Sequence, residues 1–194
     1  MPVFWMIALL YPIYFFGHVS IFQHGYSIII DKGLSVPMAA IIWSILGLFS
    51  LGGKIILGYL SDKIPVSYVM MIALCVAAAS VFSLILVKDP TWSIWTFIIF
   101  WGFFECGVIA LQPILVASTF NRSIMGKMLG IFTLFTVLLQ LVGPAFLDYV
   151  FDSTGSYNLG LYVILSLYLV SLVMVFFTQI SKSRPVQYVS PNSV

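Results

Sequence analysis

Long apolar runs, broken at intervals by short polar stretches, organise this chain. With Pro, Gly and charge as punctuation, six predominantly apolar segments stand out, at roughly 3–27, 37–60, 66–87, 92–119, 127–149 and 158–180. A run of ~20 apolar residues crosses a hydrocarbon core of ~30 Å as an α-helix, and each segment is long enough. The breaks are DKGLSVP (31–37), SDKIP (61–65), KDP (88–90), NRS (121–123) and FDSTGSYN (151–158), each combining charge with turn formers. The strict alternation of a barrel strand is missing, and an open sheet leaves its backbone unpaired in lipid, so the segments are predicted to be helices. The expected fold is an all-α membrane protein, with one six-helix transmembrane bundle over 1–180 and a polar cytoplasmic tail over 181–194.

Composition agrees and adds exclusions. Of 194 residues 62% are hydrophobic and 7% charged, far from the quarter share of charge in soluble domains. Eight Lys and Arg against six Asp and Glu give +2, too thin for phosphate neutralisation, so no nucleic-acid partner is expected. The N-terminus lacks a basic n-region and a small-residue cleavage site and reads as a membrane helix rather than a signal peptide. Cys75 and Cys106 lie in apolar stretches with no CxxC or His/Cys spacing, so packing is their simplest role, and neither a metal nor a cofactor is expected. No GxSxG, HExxH or P-loop occurs and no nucleophile–base spacing is present, so an enzyme is not expected.

Basic residues set the orientation. With the N-terminus in the cytoplasm, Lys54, Lys63, Arg122, Lys127, Lys182 and Arg184 fall inside against Lys32 and Lys88 outside, which predicts that both termini are cytoplasmic. The sequon at Asn121 would then face the cytoplasm. The chain is expected to be an integral, multi-pass protein of a plasma or bacterial inner membrane.

Several passages narrow the reading. The stretch Gly53-Lys54-Ile55-Ile56-Leu57-Gly58-Tyr59-Leu60-Ser61-Asp62-Lys63 resembles the G-x-L-[AS]-D-[RK] loop motif of the major facilitator superfamily, although Ile64-Pro65-Val66-Ser67 replaces the basic half. Pro2-Val3-Phe4-Trp5 resembles the entry to the seventh family helix, and Asp31-Lys32-Gly33-Leu34-Ser35 the loop before the eighth. Gly143-Pro144, followed by the run from Phe151 to Asn158, resembles the passage from the eleventh helix to the twelfth in monocarboxylate transporter-like and oxalate/formate antiporter-like members. The resemblance covers residues 2 to about 180 and corresponds to helices seven to twelve, the C-terminal half of a twelve-helix transporter.

That resemblance implies secondary active, alternating-access transport of a small organic anion such as a monocarboxylate, in symport with a proton, through a cavity between two six-helix bundles. The other bundle is then a missing N-terminal half or a second copy. The alternative is a truncated or split-gene membrane subunit with no transport of its own. Two three-helix repeats are implied as well, and an offset of 90 pairs Trp5 with Trp95, Gly17 with Gly107, Gly53 with Gly143 and Asp62 with Asp152.

Few residues are able to carry chemistry. Glu105 sits near the middle of the fourth segment, where a carboxylate costs at least ~2.5 kcal/mol and normally faces a cavity or a partner. Burial favours the neutral carboxyl, so Glu105 suits proton coupling; the bland reading is a neutral carboxyl hydrogen-bonded to a neighbouring helix, or one half of a fixed ion pair. Trp101, Gly102 and Gln112 share its face by helical spacing. On the first segment His18, with Tyr11 and Tyr14 on its face, suits a proton relay or a plain packing role. Lys54 occupies, by resemblance, the place where monocarboxylate and oxalate/formate carriers often have an arginine for the substrate carboxylate, one turn after Ser50. It lacks the arginine fork, and snorkelling inward or a bridge to Glu105 are its other readings. Thr133, Thr136 and Gln140 form one polar stripe on the fifth segment, and Gly143-Pro144 is expected to kink it. Gly58, Asp62 and Lys63 belong, by resemblance, to the loop that latches one conformation. If transport holds, Glu105, His18 and Lys54 should converge on one cavity.

Overall fold

A computed structural model describes residues 2–86, 90–121 and 123–182. The chain forms α1 (Pro2–Asp31), α2 (Val36–Ser61), α3 (Val66–Ile85), α4 (Pro90–Phe100), a π-helical turn (Trp101–Glu105), α5 (Cys106–Ala117), α6 (Met125–Thr154) and α7 (Asn158–Lys182). The π turn joins α4 and α5 into one membrane-length span, Trp92–Ala117, so six helices among the described residues are long and apolar enough to cross a bilayer. No strand occurs among the described residues. Lys88, Arg122 and Arg184, used above for orientation, lie outside the described residues, as does the tail from 183.

α1, α2, α6 and α7 overrun their predicted ends, whereas α3 and the fourth span stop two residues short of theirs. Pro37 pre-sets the first turn of α2. α6 was expected to stop at 149 but carries Asp148 and Asp152 on its solvent-facing end and closes only at Gly155, whose φ of 70° gives the left-handed cap. Pro12, Pro113 and Pro144 all lie inside helices that continue past them, as membrane helices tolerate when neighbours satisfy the freed carbonyls.

Packing follows a three-helix period. α1 packs on α6 and α7, the fourth span packs on α2 and α3, and α3 packs on α7. Advancing the first pair of contacts by three spans reproduces the second, as two repeats require. Glycines set the closest approaches. A Cβ on Gly53 would collide with the Phe103 carbonyl, and one on Gly143 with Ser20 Oγ and the Phe16 carbonyl. These two glycines, paired by the 90-residue offset, therefore do the same work on opposite sides of the bundle.

The core runs through the aromatic and aliphatic faces of α1 and the fourth span, including Tyr11, Tyr14, Phe97 and Trp101. α2 and α6 bury the smallest share of their surface and expose Leu48, Leu51, Ile55, Leu134, Leu138 and Leu141. At the end where α1 meets α7, Lys32 Nζ donates to Asn158 Oδ1 at 2.6 Å. Partial burial lowers the Lys32 pKa, opposed by the neighbouring Asp31 carboxylate. Since the folded value lies below the unfolded one, the charged form costs folding energy, and that cost fades as pH rises through the folded value.

Candidate functional site

Glu105 closes the π turn and is fully buried. A π turn adds a residue to the helical repeat, and such turns occur frequently at functional positions. Here it puts Glu105 opposite His18 of α1. His18 Nδ1 lies 2.7 Å from Oε1 and 2.8 Å from Oε2. One nitrogen reaching both oxygens is the pattern of an N–H shared by a carboxylate, so on geometry the proton is assigned to Nδ1. Tyr168 of α7 donates its hydroxyl to Oε1 at 3.0 Å, and Tyr14 donates to the Glu105 backbone carbonyl at 2.8 Å. The carboxylate thus collects donors from two helices, and charge-assisted bonds of this kind are about twice as strong as neutral ones.

The imidazole is held by rings. Trp101 stacks on it at a centroid distance of 5.9 Å and 13°, Tyr14 at 6.0 Å and 16°, and Phe22 at 5.9 Å. The His18 side chain keeps 9% of its surface exposed while Glu105 keeps none.

His18 and Glu105 thus meet as a buried pair, and Lys54 makes no hydrogen bond or ion pair to either. Lys54 stands on the exposed face of α2 and makes no ion pair among the described residues. Its link to the centre is indirect: the Cys106 thiol has Ser50, Lys54 and Glu105 as polar and electrostatic neighbours. Cys106 is buried as expected, whereas Cys75 is exposed on α3.

The remaining predicted residues scatter. The Tyr11 hydroxyl donates to the Gln112 backbone carbonyl at 2.9 Å, while the Gln112 side chain is half-buried and not bonded to Glu105. The stripe on α6 divides: Thr133 is exposed, Gln140 half-buried, and Thr136 buried with its hydroxyl donating to the Phe132 carbonyl at 2.7 Å. Gly58 faces open space; Asp62 and Lys63 are exposed, with Lys63 Nζ 5.3 Å above the Tyr59 ring. His24 Nε2 lies 3.6 Å from Asp148 Oδ1, with the carboxylate exposed and the imidazole mostly covered. Sequence reading missed Tyr168, because a tyrosine in an apolar helix carries no signal until its partner is known.

Tyr168→Phe removes one donor and leaves the ring. It should cost about 1.5–3 kcal/mol, the range for hydrogen bonds to charged groups, read as a lower thermal unfolding midpoint in detergent.

Fold and site together define a multi-pass helical membrane protein with a His–carboxylate pair at its centre. The chain belongs to the Major Facilitator Superfamily, whose family model matches residues 1–191. It is similar to Monocarboxylate transporter 12-B of Danio rerio, 25% identical over 133 residues covering 66% of this chain and 28% of that protein. It is similar also to Monocarboxylate transporter 12 of Rattus norvegicus, 24% identical over 179 residues covering 86% of this chain and 35% of that protein. Monocarboxylate transporter 12 of Mus musculus is 24% identical over 155 residues, covering 74% and 30%. The chain spans about a third of the length of these curated relatives.

Proposed function

We propose that this chain is the C-terminal bundle of a secondary active carrier that moves a small organic anion of the monocarboxylate class together with a proton. The observation that carries the reading is the His18–Glu105 pair, a titratable couple buried midway through two membrane helices, where ionisable groups are costly and usually functional. In this reading the proton resides between Nδ1 and the carboxylate, Tyr168 and Tyr14 hold the acceptor in place, and Lys54 offers an ammonium on the side where the second bundle docks. The broad apolar faces of α2 and α6 support that placement, since they are the least covered. The second bundle is an N-terminal half or a second copy of this chain, and both termini are cytoplasmic. The relatives' names support the anion class.

The test is uptake of labelled lactate, formate or oxalate into vesicles under an inward proton gradient. The chain is reconstituted alone and together with the N-terminal half of a monocarboxylate carrier. Accumulation above the gradient-free level in either preparation is the expected result. Uptake in neither, with both proteins folded and inserted, contradicts the proposal and favours a subunit with no transport of its own.

A further inference from the structure

The chain holds no local metal motif, yet folding brings three metal-ligating side chains from two helices to one point. His18, Glu105 and Cys106 offer Nδ1, a carboxylate oxygen and Sγ that all lie within 4.8 Å of one another, and all three residues are buried. We propose that this triad binds a divalent cation of the zinc type, which closes the centre of the bundle in place of the proton.

Ligand chemistry points to that ion class. An imidazole, a thiolate and a carboxylate form a mixed set suited to a borderline-soft, tetrahedral cation, whereas calcium and magnesium take oxygens. Charge favours it too. A divalent ion displaces the Nδ1 proton and the thiol proton, both of which leave to solvent, and the ion with a thiolate and a carboxylate is neutral. Nothing charged is therefore added to the hydrocarbon interior, where an uncompensated ion is costly. The Lys54 ammonium and the Ser50 hydroxyl sit near the thiol. The Tyr168 hydroxyl, 3.0 Å from Glu105 Oε1, is placed to hold the ligating carboxylate from outside. Binding ties α1 to the fourth span and takes the place of the Nδ1 proton of the pair. Inhibition by the ion follows if the pair couples transport, but the binding site stands on the geometry alone.

The probe is Co²⁺, which reports a thiolate ligand by a sulfur-to-metal charge-transfer band, added both to the folded chain and during its insertion into nanodiscs. The expected result is a saturable band that Zn²⁺ removes, with two protons released per ion in weakly buffered solution. Cys106→Ser abolishes the band and Cys75→Ser leaves it, while Glu105→Gln weakens binding by about 100-fold or more, as even supporting residues of metal sites cost 10–100-fold. A chain that shows no band under either mode of addition overturns the proposal, as does a band that survives Cys106→Ser. Neither outcome touches anion uptake, so the transport reading is tested separately.

Discussion

Glu105→Ala should destabilise the bundle by about 2–6 kcal/mol, the cost of leaving two buried donors unsatisfied at about 1–3 kcal/mol each. The substitution leaves the His18 N–H and the Tyr168 hydroxyl facing no acceptor at the point where α1, the fourth span and α7 meet. Glu105→Gln keeps the volume and a carbonyl oxygen that accepts one of the two donors, so its cost should stay within about 1–3 kcal/mol, that of one unsatisfied buried group. Thermal unfolding in mild detergent, followed by tryptophan fluorescence, separates the two variants. Equal midpoints would show that the donors do not hold the carboxyl group in the folded bundle.

The second large effect lies away from the pair. Gly53→Leu should prevent α2 from seating on the fourth span, because even a Cβ at this position collides with the Phe103 carbonyl, which is backbone and has no rotamer to change. Overpacking commonly costs about 1–3 kcal/mol and more when backbone must move. The π turn lies at that contact, so the displacement should also disturb Glu105. Gly58→Ala is the control: nothing lies within 4 Å of its added Cβ, and helix propensity favours Ala by about 1 kcal/mol. In detergent the first variant should lose its sharp thermal transition and the second should keep it or gain slightly. If Gly58→Ala impairs uptake without loss of stability, its role belongs to contact with the other bundle.

Much of the architecture was legible from residue patterns because hydrocarbon imposes it. Charges and turn formers fall at span ends, and the helices follow within a few residues except where Gly155 delays the end of α6. Glu105 and His18 were legible as singular ionisable groups in apolar runs. Their mutual contact was not, since 87 residues separate them and the π turn shifts the register on which helical spacing relies. Lys54 illustrates the opposite case. Its place in the loop motif suggested a shared cavity, but the face it occupies is the exposed side of α2, and one bundle does not form both walls of an alternating-access pathway. Cys106, read as packing, gains polar neighbours only when α2 crosses the fourth span at Gly53.

The most direct test of a proton held between His18 and Glu105 compares two modes of transport in Glu105→Gln vesicles that contain both bundles. Anion exchange at equal pH needs only the substrate path, while accumulation under a proton gradient needs the titrating pair. The account predicts that exchange persists and gradient-driven accumulation falls to the gradient-free level. Accumulation equal to that of the unsubstituted protein would contradict it.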